Sequence, residues 1–306
     1  MPKWGFPPVV LVICLCSCFL KERSGVDTNS TNGNGSPQTL VLRKLRLSTL
    51  DLELGGDLAG LPAGEDRFLT REDLLALPQV TYTVSDDANF TVPTKISGVL
   101  LEEINKRLSA KPQSDLVVAL CSDRYQANYT QAYMSAHKPV LVLLVNDQPP
   151  AGWPKNSEGH NRDMGPYMIT HQNFIPSFHV LSNPEEAQIP WGVVRLEFQD
   201  EQKAFAGIAP RGPQANSEEV QAGYRIAEQH CFRCHNQGTE GGQKAGRPWG
   251  VLSTWATAAP EYFRAYVHDP KSKNPHAQMP GNPSYNDATL LALVSYFRTF
   301  SSRERP

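Results

Sequence analysis

The chain has 306 residues, with 29 Lys and Arg against 31 Asp and Glu, a formal net charge of −2 and 40% hydrophobic residues. That much apolar material excludes wholesale disorder, and the balanced charge excludes a nucleic-acid binder that works through a basic face. The length corresponds to about two domains. The cysteines at 14, 16 and 18 lie in one apolar run, 231 and 234 form a tight pair and 121 stands alone, so they make no disulfide framework.

In chain order, the first element is an export segment. A positive start at Lys3 is followed by apolar residues from Phe6 to Leu20 and then Lys21-Glu22-Arg23, the shape of a secretory signal. The run is shorter than the roughly 20 residues of a membrane-spanning helix. Its end, Leu15-Cys16-Ser17-Cys18, resembles the bacterial lipobox. That resemblance implies lipidation of Cys18 and a lipid-anchored protein of the periplasm or cell envelope. Residues 1–18 are therefore a signal and lipoprotein segment, and 19–40 a linker rich in Asn, Gly and Ser.

Residues 41–205 read as a domain of strands with a few helices. Thr70, with Asp73 three residues on, predicts a capped helix start. Val80–Val84 alternates as a strand. Val99–Leu108 has helical spacing. Asp115–Cys121 and Val140–Val145 are continuous apolar runs, the pattern of strands buried on both faces, and Val193–Phe198 alternates. The polar stretch from Gly159 to His171 reads as a solvated loop. Two Pro and two Gly between Ala206 and Pro213 mark a linker over 206–216. Beyond it, over 217–306, the apolar pattern is helical.

The strongest signal is Cys231-Phe232-Arg233-Cys234-His235. C-x-x-C-H is the attachment motif of c-type haem: two thiols reach the two vinyl groups of one porphyrin, and the next residue, His235, stands ready to ligate the iron. Around it the chain resembles class I cytochrome c over residues 217 to 302. Gly223 stands at a close helix crossing, Pro248 where the family's Pro orients the proximal His, and Met279-Pro280 in the axial loop. Leu290–Phe297, with Tyr296, resembles the last helix. The resemblance implies one covalent haem c on Cys231 and Cys234, with His235 and Met279 as axial iron ligands. His276 is the rival to Met279. It implies one-electron transfer with redox partner proteins in the cell envelope.

Residues 66 to 199 resemble the molybdopterin-binding domain of the sulfite-oxidase type. The resemblance rests on Leu69–Pro78, Gly98–Leu101, Val118–Tyr125, Val142–Pro149 and Trp191–Leu196. It implies an α+β mixed-sheet domain followed by an all-α cytochrome domain, and it places Cys121 where the family ligates molybdenum through a thiolate. A lone Cys at the end of an apolar run is also an ordinary core residue. Arg124, His137, His160, Arg162, His171 and His179 match no spacing of pterin anchors, so molybdopterin is not expected and the first domain reads as a dock or tether for the haem. A molybdenum oxidoreductase with Cys121 on the metal and the haem as electron acceptor is the alternative.

Overall fold

The computed structural model describes residues 40–301 except 86, 109, 156–161, 173 and 175–186. Cys14, Cys16, Cys18, His160 and His179 lie outside the described residues. No helix among the described residues is long and apolar enough to cross a membrane.

The first half is a mixed sheet with short helices. Its strands are β1 (Leu52–Gly56), β2 (Arg67–Leu69), β3 (Val80–Val84), β4 (Thr94–Leu100), β5 (Leu116–Cys121), β6 (Gln126–Thr130), β7 (Val140–Val145), β8 (Tyr167–Thr170) and β9 (Trp191–Gln199). They run in the order β2-β1-β9-β8-β7-β4-β3, with β5 also paired to β9 and β6 hung on β5. Among the described residues only β1 and β9 pair in parallel; the remaining neighbours are antiparallel. Helix α1 (Arg71–Leu75) starts at the Thr70–Asp73 capping box that the sequence announces. The helix predicted from Val99 begins instead at Leu101, as α2 (Leu101–Arg107), because Val99 and Leu100 finish β4 against Leu141 and Val140. Helix α3 (Gln131–His137) follows β6, and α4 (Glu201–Ala206) follows β9.

One expectation is overturned. Tyr167–Thr170, read as part of a polar loop, is strand β8, with all four residues buried. It pairs with β7 and β9 inside the sheet. Four residues between Pro166 and His171 are too few for the alternation of period two to stand out.

The second half is helical. It contains α5 (Glu218–Gln229), a 3₁₀ turn at Cys231–Arg233, a small hairpin of β10 (Asn236–Gln237) and β11 (Glu240–Gly241), then α6 (Trp249–Ala258), α7 (Pro260–His268), α8 (Pro270–Lys273) and α9 (Asp287–Arg298). Ser217 caps α5 through the backbone N–H of Val220, and Asn286 caps α9 through that of Thr289. Helices α5 and α9 cross at Gly223, where an added Cβ would stand 2.0 Å from the Ala292 carbonyl oxygen. Trp249, fully buried, packs against Phe232, Tyr296 and Phe297. Its indole N–H donates to the Tyr296 hydroxyl at 3.1 Å, and that hydroxyl donates to the Ile208 carbonyl.

The two halves share a core. Along β5, Val117, Ala119 and Cys121 face the core of the sheet half. Leu116 and Val118 join Ala204, Phe205 and Ile208 among the buried residues of the helical half. The alternation of side chains along a strand produces this division, and burial on both faces accounts for the uninterrupted apolar run.

Gly223→Ala forces a methyl group into the Ala292 carbonyl and should destabilise the protein by about 1–3 kcal/mol. Thermal denaturation of the two proteins measures it, and an unchanged midpoint would contradict the crossing described.

Candidate functional site

The site is built on the turn after α5. The backbone N–H groups of Cys234 and His235 both donate to the Cys231 carbonyl, at 3.2 and 3.0 Å, and coil the segment into one tight turn. The glycine-rich segment after β11 wraps it. Gly242 donates to the Phe232 carbonyl at 2.8 Å and Ala245 to that of Cys234 at 2.9 Å. Only glycine fits at 242, since a Cβ there would lie 1.8 Å from the Arg233 carbonyl oxygen.

His235 is buried, and its Nδ1 lies 2.6 Å from the Arg247 carbonyl oxygen. A carbonyl only accepts, so Nδ1 carries the proton and Nε2 keeps its lone pair. Burial pulls the imidazole below its ordinary pKa, against the opposing pull of that carbonyl. The ring is thus a neutral donor in fixed orientation, the state an axial iron ligand requires. The acceptor is Arg247, one residue before the Pro248 that the sequence points to; Pro248 itself is the N-cap of α6. Burial holds the Cys231 thiol up at about 12 and that of Cys234 up at about 11.

Met279 lies in the loop between α8 and α9 and packs against the same hydrophobic core as Cys231. The loop is pinned by Asn282. Its side-chain amide donates to the Val267 carbonyl at 2.8 Å, and its backbone N–H to that of His268 at 2.9 Å. Tyr285, buried three residues on, meets His230 Nδ1 at 2.7 Å, directly before the attachment turn. His276, the rival ligand, is exposed on that loop.

The cytochrome c family matches residues 220–301. That span is a cytochrome c domain. The comparison agrees with the cysteine pair, the oriented His235 and the α5–α9 crossing. Residues Cys231 and Cys234 fit a covalent haem c, and the oriented His235 beside them fits its iron. No curated protein matches the chain. Among solved structures, the chain is similar to the sulfane dehydrogenase SoxCD from Paracoccus pantotrophus at 16% identity, with a TM-score of 0.34. The likeness covers 56% of this chain and 45% of that one.

The cytochrome domain is clamped by the turn between β5 and β6. Lys244 pairs with Asp123 at 2.7 Å and stands over the Tyr125 ring. Gln243 donates from its backbone to the Arg124 carbonyl at 3.0 Å. Arg233, inside the haem motif and only 4% exposed, reaches the Tyr125 hydroxyl at 3.3 Å. Burial opposes its charge, but the phenols of Tyr125, Tyr133 and Tyr129 act the other way, and its pKa lies above the ordinary arginine value. Sequence reasoning missed Arg247, Arg233, Asp123 and Lys244. The only local sign was a charged residue inside an attachment motif set in apolar surroundings.

Cys121 is a core residue, 6% exposed and packed in the sheet half. Burial first, then the Asp123 carboxylate, push its thiol well above the ordinary range. Arg124 and Arg162 are exposed. His137 and His171 both pack against Phe174 and Tyr133. Burial and the neighbouring His137 and Arg233 pull His171 down to about 3. These described residues are not gathered into a cationic cradle at Cys121.

Glu228, one turn before the haem motif, is the domain's displaced carboxyl. Burial pushes it up to about 7, helped by the Glu201 carboxylate and opposed by a hydrogen bond with Tyr224. Raised in the folded state above its ordinary 4.5, it contributes stability that is full below that value and lost as pH rises through about 7. Glu228→Gln should remove this decline. Relative to the variant, the wild type should lose about 1–2 kcal/mol between pH 4.5 and 8, with its partial exposure discounted. Denaturant unfolding at several pH values measures it, and parallel pH profiles for the two proteins would refute the assignment.

Proposed function

We propose that the protein is an exported, lipid-anchored electron carrier. In this reading the cytochrome domain would hold one haem c through Cys231 and Cys234, and His235 and Met279 would ligate its iron. The sheet half is its dock. The observation that carries the reading is the His235 imidazole, held neutral by the Arg247 carbonyl beside a cysteine pair with haem-attachment spacing.

A haem held there supplies one reversible electron equivalent. The residues of the chain do the rest. Two thioethers keep the group bound through repeated oxidation and reduction. The Arg247 carbonyl fixes the direction of Nε2. Trp249, Phe232 and Tyr296 exclude water, and a dry shell raises the cost of the extra charge of the ferric state. A thioether from Met279 would raise the potential of that group relative to a second imidazole and would compete with small ligands for its iron. The Asn282 brace supports Met279 over His276, because it holds the loop against the core while His276 stays in solvent. The partners are redox proteins of the cell envelope. The clamp through Asp123, Tyr125 and Arg124 supports a docking role for the sheet half rather than a second catalytic centre.

Met279→Ala should abolish the weak far-red sulfur-to-iron band of the ferric protein, lower the potential and admit cyanide or carbon monoxide. An unchanged spectrum and potential would place the ligand elsewhere. Metal analysis of the same purified protein should give one iron per chain and no molybdenum. Near-stoichiometric molybdenum with pterin would overturn the docking role and restore Cys121 as a metal ligand.

A further inference from the structure

The segment that opens the described chain has a surface unlike the rest. Between residues 40 and 47 inward and outward side chains alternate only at the start, and residues 44–47 are all exposed. Leu40 and Leu42 turn inward onto the core of the sheet half. Val41, Leu45 and Leu47 turn outward and are 74%, 73% and 73% exposed. These are the three most exposed large apolar side chains among the described residues, all within seven positions. The segment is held in place. Arg43 and Phe68 exchange two backbone hydrogen bonds, at 3.0 and 2.9 Å, which fasten it to the edge strand β2. Asp51 accepts from the backbone N–H of Leu47 and of Ser48, at 2.7 and 3.0 Å. The exposure is therefore a feature of an anchored surface.

Cations are interleaved with it. Arg43 reaches Asp73 at 3.2 Å, and Arg46 lies 3.8 Å from Glu53 with its guanidinium over the Phe68 ring. Lys44 is exposed, and no ion pair joins it to another described residue. Apolar side chains flanked by basic ones form the composition of a surface that enters the headgroup layer of an anionic bilayer. The sequence supplies a reason for a bilayer to be near. The apolar run to Leu20 lies about twenty residues upstream in the sequence.

From this juxtaposition we infer that Val41, Lys44, Leu45 and Leu47 form a contact surface for anionic lipid, which sets the protein against the membrane. The contact is separate from acylation at Cys18 and does not depend on it. Exposed leucines and valine enter the boundary between headgroups and acyl chains, and the Lys44 ammonium meets a lipid phosphate. A protein tethered at one residue can tumble within its reach, whereas one with this second contact has one face held to the bilayer. That face is the β2 edge of the sheet, where Arg43 pairs with Phe68.

The full chain is purified with its haem and floated with vesicles of phosphatidylglycerol and phosphatidylethanolamine. A nitroxide is carried at Leu45→Cys or, as a control, at Val92→Cys, a second exposed apolar position. The label at 45 should be accessible to oxygen and shielded from a water-soluble nickel relaxant, while the label at 92 should report water. If the lipid-anchor reading fails and the mature chain is soluble, anionic vesicles should still bind it. In that case Val41→Ser/Leu45→Ser/Leu47→Ser should weaken binding by about tenfold or more. If the anchor holds, the triple variant still floats, and the label decides. A water-like label at 45 in floated protein overturns the inference. So does a soluble chain that ignores anionic vesicles, and that surface would then belong to a protein partner.

Discussion

Strand β5 is buried on both faces, and the rest of the molecule is arranged around that constraint. A two-sided strand cannot present one polar face to water, so each side must be covered by a separate layer. Val117, Ala119 and Cys121 are covered by the sheet half. Leu116 and Val118 are covered by Phe205, Ile208 and the helices of the cytochrome domain. Removing the helical layer would expose a row of branched apolar side chains in the middle of a sheet. The two halves are thus joined by hydrophobic burial as well as by the chain between them.

That shared core brings the turn after β5 to the haem motif. Asp123, Arg124 and Tyr125 meet Lys244, Gln243 and Arg233 through a salt bridge, a backbone hydrogen bond and a phenol contact. Arg233 is the most demanding of these, since a buried guanidinium must recover its lost hydration from neighbouring dipoles. Its position between the two attachment cysteines ties the haem segment to the sheet. Cys121, at the end of β5, is buried in the core of the sheet half beside this packing.

Within the cytochrome domain the close contacts are made by residues without bulk. Gly223 lets α5 and α9 touch backbone to backbone, and Gly242 lets the wrapping loop lie on the Arg233 carbonyl. The contacts leave the turn, His235 and the Met279 loop little freedom. The turn is fixed by the Cys231 carbonyl, His235 by the Arg247 carbonyl and the Met279 loop by Asn282. These backbone contacts fix the turn, the imidazole and the loop relative to the helices.

Much of this was legible in the chain itself. Five residues, Cys231 to His235, state the haem chemistry, because covalent attachment needs two thiols at one spacing and a following imidazole. The Thr70–Asp73 cap, the alternation of Val80–Val84 and the apolar runs of β5 and β7 mark their elements, because these depend on contacts within a few residues. What the tertiary structure decided depends on residues far apart in sequence. The start of α2 was set by pairing of Val99 and Leu100 with β7, and β8 took shape from its neighbours inside the sheet. The partner of Arg233 lies 108 positions away, and the oxygen that orients His235 belongs to a backbone whose residue type carries no signal. Local chemistry is written in spacing, whereas burial and long-range pairing exist only once the chain has folded.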